Sequence, residues 1–380
     1  MSTRIEPNVQ FIREMQAAGG ESLKKCYQCA TCSVICPLSP EEAPFPRKEM
    51  IWAQWGLKDK LVNDIDIWLC HNCGECSDNC PRGAKPGDLL AALRNMAYKS
   101  LAKPAIIGEW MSSAKYLPIL FGIPAVIFLI LWALTTGLTI PDGEIIFAKV
   151  YPTLQTIDPL FILTVLFVIF TFATSIKSML SSFKANGLEP KEDSPTFFKS
   201  LIDVVKDEII SHRKFKDCES NKDRYPGHLL IFYGFIALAV VTGTIAVFYW
   251  TNKLFGFGMT TPLSLWNPVK ILANGGAIAL IAGLVLMTRN RLNADPKKTI
   301  NSYYDWYIIG VIWFVAVTGM LAQVFRLADA AAPAYIVYYL HLVSVFMLFA
   351  YLPWSKLAHL VYRTVALAYA RQIGRKGLGE

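Results

Sequence analysis

The sequence predicts a mainly α-helical protein in which a small, cysteine-rich N-terminal domain precedes a bundle of six transmembrane helices. Eight of the nine cysteines lie before residue 104, and six long apolar stretches follow it. Hydrophobic residues make up 54% of the 380 residues and charged residues only 17%, where an ordinary soluble protein has about 25%. With a mean hydropathy of +0.37, this composition excludes a disordered chain and disfavours a purely soluble enzyme.

Each of the six apolar stretches is long enough to cross a bilayer. An α-helix rises about 1.5 Å per residue, so about 20 residues cross a hydrocarbon core of roughly 30 Å. The third stretch contains no Asp, Glu, Lys or Arg. The stretches lie at about 117–140, 159–182, 228–250, 268–288, 306–326 and 334–358. A soluble protein would have to supply six such runs as buried helices, so we interpret them as membrane spans.

Charge placement predicts that both termini lie on the cytoplasmic side of the cell inner membrane. The N-terminal stretch MSTRIEPNVQFIREMQ is polar and has no apolar signal-peptide core, so we expect the N-terminal domain to stay in the cytoplasm. Six spans return the C-terminus to the same side. Lysine and arginine number eighteen in the inner loops and tail but four in the outer loops, as the positive-inside rule requires.

The net charge of +8, from 37 basic and 29 acidic residues, does not predict nucleic-acid binding. The excess of basic residues lies after residue 228, beside the apolar runs. Basic residues in that position orient spans in a membrane and do not form a groove for phosphates. We therefore expect membrane lipid, and no nucleic acid, among the partners.

The inner loop 183–227 is charge-balanced and carries a helical apolar pattern. The residues of that pattern are Phe197, Leu201, Val204, Val205 and Ile209. An amphipathic helix of this kind is typical of a membrane surface or a partner interface, and we expect one of these two positions.

Two cysteine motifs in the N-terminal domain have the spacing of bacterial ferredoxins. CYQCATCSVICP at 26–37 and CHNCGECSDNCP at 70–81 both follow C-x₂-C-x₂-C-x₃-C-P. In this pattern three close cysteines bind one [4Fe–4S] cluster and the fourth binds the other cluster. The predicted ligands are Cys26, Cys29, Cys32 and Cys80 for the first cluster, and Cys70, Cys73, Cys76 and Cys36 for the second. We interpret residues 1–104 as a ferredoxin-like helical iron–sulfur domain that carries single electrons.

Zinc binding is the alternative for paired cysteines, since C-x₂-C pairs also build zinc ribbons. A zinc site needs four ligands and gives no reason for a third cysteine or for the trailing Pro37 and Pro81. Disulfides are not expected in a reducing cytoplasm. Cys218 stands alone in loop 183–227, and we interpret it as a bystander.

Three of the five histidines mark candidate haem sites in the membrane, where a histidine is costly and usually functional. His228 opens the third span, and His341 and His359 lie 18 residues apart in the sixth stretch. On one continuous helix that separation is five turns, about 27 Å, which predicts two imidazoles on one face at opposite depths. We predict two haem b groups, an inner one held by His228 and His359 and an outer one held by His341.

The remaining polar residues near these sites give weaker indications of a function. Arg289, Arg291 and Lys356 can pair with haem propionates or with lipid phosphate. His71 lies inside the second cysteine motif and is interpreted as a local polar residue, and His212 receives no role. The sixth ligand of the outer haem, the quinone pocket and any catalytic residue stay open.

The motifs together resemble known electron-transfer families. CYQCATCSVICPLSP, IWLCHNCGECSDNCPRG and KPGDLLAALR resemble the small iron–sulfur subunit of heterodisulfide reductases. HLLIFYGFIALAVVTG and HLVSVFMLFAYLPWSKLAHLVYR resemble the di-haem cytochrome b subunits of the nitrate reductase gamma and heterodisulfide reductase type. Their fusion in one chain is similar to the membrane subunits of quinone-interacting membrane-bound oxidoreductase complexes in sulfate-reducing organisms.

The resemblance implies a six-helix transmembrane cytochrome b bundle that exchanges electrons with menaquinone. It implies two soluble flavin and iron–sulfur partner subunits in the same complex, and adenylylsulfate reductase as the electron partner in sulfate respiration. It also implies that His228, His341 and His359 are haem ligands. Four-histidine relatives carry a further histidine ten residues into the first ligand helix, where this chain has Leu238, so the outer haem lacks that ligand.

These observations predict three segments and one function. The segments are a cytoplasmic dicluster [4Fe–4S] domain at 1–104, a six-span haem b domain at 105–365 that includes loop 183–227, and a cytoplasmic tail at 366–380. We expect the quinone-reactive electron-transfer subunit of an oxidoreductase complex, with no catalysis of its own beyond quinone redox chemistry. The alternative is the cytochrome b and iron–sulfur subunit of a heterodisulfide reductase-like or sulfite-reduction-linked menaquinol-oxidising complex.

A transporter with six spans and a regulatory iron–sulfur domain is a further alternative from another functional class. Intramembrane carboxylates normally mark transport pathways. In this chain Asp158 and Asp305 lie only at the ends of spans, which argues against transport.

Overall fold

Helices dominate the structure of this chain. The computed structural model describes residues 6–212, 224–259, 261–295 and 301–375. Within these ranges no residue is in a β-strand, and six helices are long and apolar enough to cross a membrane. The predicted mainly α-helical class, with six candidate spans after the cysteine-rich domain, is therefore confirmed.

The described residues form sixteen α-helices joined by short turns. The helices of the N-terminal part are α1 (Val9–Met15), α2 (Thr31–Val34), α3 (Arg47–Gln54), α4 (Lys58–Val62), α5 (Asp66–Leu69), α6 (Glu75–Asp78), α7 (Pro86–Leu101) and α8 (Ala105–Trp110). The remaining helices are α9 (Leu117–Thr136), α10 (Asp158–Ala185), α11 (Phe197–Val204), α12 (Arg224–Phe255), α13 (Pro268–Leu292), α14 (Tyr303–Leu327), α15 (Ala331–Ala350) and α16 (His359–Gln372).

Shorter 3-10 and π-helical turns extend or connect several of these helices. The 3-10 turns are Glu21–Lys25, Ala114–Tyr116, Phe147–Lys149, Leu352–Trp354 and Lys356–Ala358. The π-helical turns are Gln16–Gly20, Thr153–Ile157 and Val205–Ile210.

The N-terminal domain has a continuous apolar core built around α7. Leu90 and Leu93 lie about one turn apart on the buried face of this helix, as expected for an amphipathic helix. Tyr98 of the same helix and Trp68 of α5 are fully buried, with ring centroids 5.6 Å apart. Tyr362 from α16 packs on Trp68 at 5.4 Å, so the last described helix completes the core of the first domain.

Two of the spans, α12 and α13, pack closely because glycines remove the side chains between them. A Cβ atom on Gly283 would lie 2.8 Å from the carbonyl oxygen of Gly227. A Cβ atom on Gly234 would lie 3.0 Å from the carbonyl oxygen of Gly276. Small residues at such crossings let the backbones of transmembrane helices approach each other. This contact fixes the position of the helix that carries His228.

The amphipathic segment of loop 183–227 is helical, as its pattern predicts. It forms α11 and the following π-helical turn, and its apolar face packs on α16 and the core of the N-terminal domain. Val204 is fully buried there, and Leu201 and Ile209 are half-buried. The expectation that this face meets the membrane surface or a partner is corrected, because the chain's own last helix covers it. Cys218 lies outside the described residues.

The sixth apolar stretch does not form one helix, which corrects the continuous span expected for 334–358. Helix α15 ends at Ala350, two 3-10 turns follow, and α16 begins at His359. Pro353 has no backbone N–H and its ring clashes with the preceding turn, so it favours an interruption of the α-helix at this point. His341 and His359 therefore lie on separate helices, and the argument from five helical turns on one face is wrong.

Candidate functional site

The first cysteine loop, residues 26–36, turns sharply before a short helix. Cys26 is extended, with φ −74° and ψ 123°. Gln28 and Ala30 are left-handed, with φ of 62° and 70°, and α2 starts directly after them. The backbone N–H of Gln28 points back to the Cys26 Sγ at 3.4 Å. Amide hydrogen bonds of this kind to sulfur ligands are among the factors that set cluster potentials.

The second cysteine loop, residues 70–80, repeats this backbone at the same positions. Cys70 is extended, with φ −63° and ψ 129°. Asn72 and Gly74 have φ of 54° and 97°, and α6 follows. The Asn72 N–H points to the Cys70 Sγ at 3.2 Å. The matching left-handed residues show that equal cysteine spacing produces equal loop structure.

The thiols of the two loops fall into two sets of four, as their electrostatic interactions show. Burial, with smaller contributions from Cys26, Cys80 and Cys29, raises the pKa of the Cys32 thiol to about 11. Burial raises the pKa of the Cys36 thiol to about 12, with Cys70 and Cys73 adding to the effect. Burial also raises the pKa of the Cys76 thiol, followed in effect by Cys70, Cys73 and Cys36, with Cys32 of the other loop last. We call Cys26, Cys29, Cys32 and Cys80 the first cysteine set, and Cys36, Cys70, Cys73 and Cys76 the second cysteine set.

This grouping is the crossed arrangement expected from the cysteine spacing. The first three cysteines of each loop belong to one set, and the fourth cysteine of that loop belongs to the other set. None of the eight cysteines in these described loops forms a disulfide. Four thiols per set match the ligand demand of a [4Fe–4S] cluster. Iron binding by these sets stays a prediction.

The two cysteine sets differ in exposure. Cys29 of the first set is exposed, and the hydroxyl of Thr31 lies 3.4 Å from its Sγ and lowers the pKa of the thiol. In the second set Cys70 and Cys76 are buried. The first set is therefore more exposed than the second set, while the remaining cysteines of both sets are half-buried.

Three histidines meet near the N-terminal domain: His212, His228 and His359, which we call the inner histidine group. The ring centroids of His212 and His228 are 5.2 Å apart. Burial lowers the pKa of His359 to about 3 against the opposing effect of a hydrogen bond to the Lys356 backbone, and the charges of His228 and nearby arginines add to the lowering. The imidazole of His359 is therefore neutral at pH 7, which is the form that binds metals.

The hydrogen bond of His359 leaves its second ring nitrogen available. Its Nδ1 lies 2.7 Å from the carbonyl oxygen of Lys356. Because a carbonyl oxygen only accepts, Nδ1 carries the proton and Nε2 keeps its lone pair. Metal-binding histidines are usually oriented by such a bond. His212 has a similar contact from its Nδ1 to the Ile210 carbonyl oxygen at 3.3 Å.

His341 lies on α15 and its described contacts are with α14. Its Nδ1 is 3.2 Å from the Val315 carbonyl oxygen and 3.2 Å from the Thr318 Oγ1. A Cβ atom on Gly319 would lie 3.0 Å from this imidazole, so glycine leaves the space for the ring. The structure brings His228 near enough for its charge to act on His359, and it places His341 among residues of α14.

Two of the three cations predicted near the haem propionates are already paired. Asp305, buried at the start of α14, accepts a hydrogen bond from Arg291 at 2.9 Å and forms an ion pair with Lys356. Ser302 caps the same helix through Asp305. Arg289 is exposed.

A buried carboxylate cluster that no sequence pattern indicates lies in the N-terminal domain. Glu49, Asp64 and Asp66 each have a carboxylate oxygen within 4.8 Å of the others. The Lys48 Nζ lies 3.2 Å, 2.9 Å and 2.6 Å from these three residues, and Arg375 pairs with Asp66. The ammonium group of Lys48 therefore already occupies the position that a metal ion would take between these carboxylates. Since Glu49 belongs to α3 and Asp66 to α5, only the tertiary fold brings the acids together.

Comparison with known proteins identifies the first part of the chain. Residues 22–84 match the family model of the 4Fe–4S dicluster domain. The N-terminal part is a 4Fe–4S dicluster domain. Residues 199–377, a little less than half of the chain, match the family model described as Citrate utilization protein B.

The relatives of the dicluster domain belong to heterodisulfide reductases. A subunit of the H(2):CoB-CoM heterodisulfide,ferredoxin reductase of Methanothermobacter marburgensis is 39% identical over 92 residues, 24% of this chain and 49% of the relative. An iron–sulfur subunit of the CoB--CoM heterodisulfide reductase of Methanocaldococcus jannaschii is 40% identical over 100 residues, 24% of this chain and 53% of the relative. A heterodisulfide reductase subunit-like protein of Archaeoglobus profundus is 33% identical over 113 residues, 29% of this chain and 58% of the relative.

The chain spans about half the length of the curated relatives it matches. No solved structure matches the chain. The dicluster domain is therefore homologous to an iron–sulfur subunit of heterodisulfide reductases, which confirms that part of the resemblance. The cytochrome b half and its fusion to the dicluster domain stay predictions.

Proposed function

We propose that this chain is the membrane electron-transfer subunit of an oxidoreductase complex. It exchanges electrons between menaquinone in the membrane and soluble flavin and iron–sulfur subunits. The observation that carries the proposal is that one chain holds two four-cysteine sets and that the loop of the second set contacts the helix carrying His228. The homologues of the dicluster domain are themselves subunits of reductases, which supports a role within a complex.

The first and second cysteine sets would each hold one [4Fe–4S] cluster. Such a cluster accepts and donates single electrons. The loops supply the thiols, and the backbone N–H groups of Gln28 and Asn72 point to sulfur atoms of Cys26 and Cys70. Since two thiols of the second set are buried, the protein shields that site from water.

His228 and His359 would hold an inner haem b, and His341 an outer haem b. Haem iron bound by imidazole exchanges one electron. The fit rests on ring orientation, because His359 and His341 both direct Nδ1 to a backbone carbonyl and keep Nε2 for a metal. The sixth ligand of the outer haem is not assigned, and Leu238 stands where four-histidine relatives have a ligand.

The same proposal assigns the domains and the side of the membrane. Residues 1–104 form the dicluster domain, 105–365 the haem b domain and 366–380 the tail, with both termini in the cytoplasm of a cell whose inner membrane holds the spans. The division at 365 falls within α16. The packing of α16 on the dicluster domain supports a common side for both ends of the chain.

The electron partner that we propose is adenylylsulfate reductase, in sulfate respiration. The order of domains supports it, since the dicluster domain precedes the spans in one chain. The second candidate is a heterodisulfide reductase-like or sulfite-reduction-linked menaquinol-oxidising complex, which the names of the dicluster relatives favour. To distinguish the two candidates, the chain is reduced in liposomes and mixed with adenylylsulfate reductase or with a heterodisulfide reductase. The enzyme that reoxidises the chain identifies the complex.

The test of the proposed function is a spectrum of the purified full chain in detergent. We expect eight iron atoms in clusters, a b-type alpha band after reduction with menaquinol, and EPR signals of two reduced clusters. A chain that lacks the alpha band, or one that contains zinc in place of cluster iron, contradicts the proposal.

The variant His359→Ala tests the inner haem separately. We expect loss of the low-spin haem signal with both cluster signals retained, because the cysteine sets do not include this residue. Retention of the full low-spin haem signal contradicts the assignment. His71→Ala is the matched control, since this histidine is not among the proposed ligands, and its haem content should equal that of the wild type.

A further inference from the structure

Arg224 connects the helix of His228 to the second cysteine loop. It is the first residue of α12, four residues before His228, which is about one helical turn. Its Nη1 donates to the carbonyl oxygen of Asn72 at 3.2 Å. Asn72 lies between Cys70 and Cys73 of the second cysteine set. The membrane domain therefore touches the backbone of this loop through a cation.

A second cation, Arg94, holds the same loop from within the dicluster domain. Its Nη1 donates to the Cys70 carbonyl oxygen at 2.7 Å. Burial raises the pKa of the Cys70 thiol, while the charges of Arg94 and Arg363 oppose this effect. The same two arginines act on His359. Arg94 and Arg363 thus act on both Cys70 and His359. Together with the hydrogen bond from Arg224, one turn before His228, this puts the second cysteine loop on the side of the inner histidine group.

The first cysteine loop faces away from this contact. Its described hydrogen bonds stay within the dicluster domain, from Gln28 to Gln54 and from Arg47 to the Gln28 carbonyl. Around the exposed Cys29, Tyr27 is 68% and Val34 is 78% exposed. Exposed apolar side chains beside a redox ligand are suited to a protein partner.

We infer that the two cysteine sets work in a fixed order and that Arg224 positions the first transfer. Electrons pass between the inner histidine group and the second cysteine set, then to the first cysteine set, and leave at its exposed face. This inference rests on the proposed function. It adds the order of the two clusters and a positioning residue for electron transfer between the inner histidine group and the second cysteine set.

Each transfer in this order is a single-electron step without bond changes. In the direction away from quinol, the haem that His228 and His359 would hold would give up one electron, and the cluster that the second cysteine set would hold would accept it. The cluster of the first cysteine set would accept the same electron next. These transfers between centres involve no proton or leaving group. Quinol is the reductant, and its oxidation to quinone supplies two electrons, one at a time, and releases two protons.

Positive charge favours the reduced form of the second cluster. Arg224 and Arg94 place two guanidinium groups on its loop, and a cation next to a cluster stabilises the added electron. Their removal should therefore make the second cluster harder to reduce. The first cluster, whose loop has neither contact among the described hydrogen bonds, should keep its potential.

The experiment is an EPR-monitored redox titration of the full chain in detergent, with Arg224→Gln as the test variant. EPR spectra of Cys29→Ser and Cys73→Ser are recorded beforehand to assign one signal to each cluster. In Arg224→Gln we expect a lower midpoint potential for the second cluster, an unchanged first cluster, and at least a tenfold slower cluster reduction after flash reduction of haem. Arg224→Lys keeps the positive charge, so the midpoint potential of its second cluster should stay close to the wild-type value.

Arg82→Gln is the matched control beside the first loop. The Arg82 guanidinium lies 4.1 Å from the ring centroid of Tyr27 and its Nη2 donates to the tyrosine hydroxyl at 3.0 Å. This variant should leave the second cluster and the haem-to-cluster rate unchanged. A shift of the first cluster alone in Arg224→Gln, or no shift and no slower transfer, overturns the inference. Absence of haem or clusters from the wild type overturns the proposed function instead.

If Arg224→Gln does not fold, Arg94→Gln provides the same measurement from the other side of the loop. The second cluster should again be the one whose potential falls. An Arg94→Gln protein in which both potentials equal those of the wild type also overturns the inference.

Discussion

Glu49 is an acidic residue in the interior of the dicluster domain. Its side chain is fully buried, and burial raises its pKa well above the ordinary value, with Asp66 and Asp64 adding to the effect. Among the described residues, the buried carboxylate cluster has three acids but only Lys48 and Arg375 as cationic partners. One carboxyl group is therefore best accommodated as the neutral acid. The pKa is raised for both Glu49 and Asp66, and we assign the proton to Glu49 because Asp66 has a second cationic partner in Arg375.

This assignment predicts a pH-dependent effect of Glu49→Gln. Because the pKa of Glu49 is higher in the folded than in the unfolded protein, its contribution to stability is full below the unfolded value of about 4.3 and is lost as pH rises. Glutamine has no proton to lose. We expect the melting temperature of Glu49→Gln to exceed that of the wild type by more at pH 8 than at pH 5.

Thermal unfolding of the detergent-solubilised chain at both pH values measures this difference. Glu41→Gln is the control, because Glu41 is exposed in the same domain and surface changes alter stability by only about 0.5 kcal/mol. An equal difference between Glu49→Gln and the wild type at both pH values contradicts the assignment of the proton.

At the scale of secondary-structure elements, the packing of α12 on α13 determines where His228 lies. Gly283 allows the close approach of the two helices, and a side chain there would meet the backbone of Gly227 and Ile231. The backbone at such a contact cannot move aside as a flexible side chain does. The position of a proposed haem ligand thus depends on a residue of the neighbouring helix.

We therefore expect Gly283→Val to lower the haem content of the purified chain by at least half and to lower its melting temperature. Overpacking of a close contact typically costs about 1–3 kcal/mol. Haem is measured as the pyridine complex per mole of protein. Gly243→Val is the control on α12, since a Cβ atom there meets nothing within 4 Å. Equal haem loss in both variants contradicts the role of the α12–α13 contact.

The whole molecule exposes its two cysteine sets unequally, and this predicts the order of cluster loss. Cys29 is exposed, whereas Cys70 and Cys76 are buried, so a chelator or oxidant reaches the first cluster before the second. During anaerobic incubation with an iron chelator we expect the EPR signal of the first cluster to decay at least several-fold faster. Simultaneous decay of both signals contradicts the exposure argument.

Much of the architecture could be predicted from the sequence because its causes are local. A membrane span requires about 20 apolar residues in a row, so composition alone reveals it. Equal cysteine spacing likewise produced equal loops, down to the left-handed Gln28 and Asn72. The homology of the dicluster domain to an iron–sulfur subunit of heterodisulfide reductases was evident from the same motifs.

Contacts between distant parts of the chain could not be predicted in this way. Pro353 was a signal for a helix break, yet the apolar run around it was interpreted as one span. His212 lies beside His228 only because α11 folds back onto α16. The hydrogen bond from Arg224 to Asn72 joins residues 152 positions apart, and no periodicity in the sequence reports such a pair.

The packing of α16 into the dicluster core also has a consequence for biosynthesis. Tyr362 and Ala366 fill the core of the first domain, yet the ribosome makes them only after all six spans. The nascent dicluster domain must therefore wait, with part of its apolar interior uncovered, until the last span has entered the bilayer. Completion of the electron-carrying domain is in this way tied to successful membrane insertion of the whole chain.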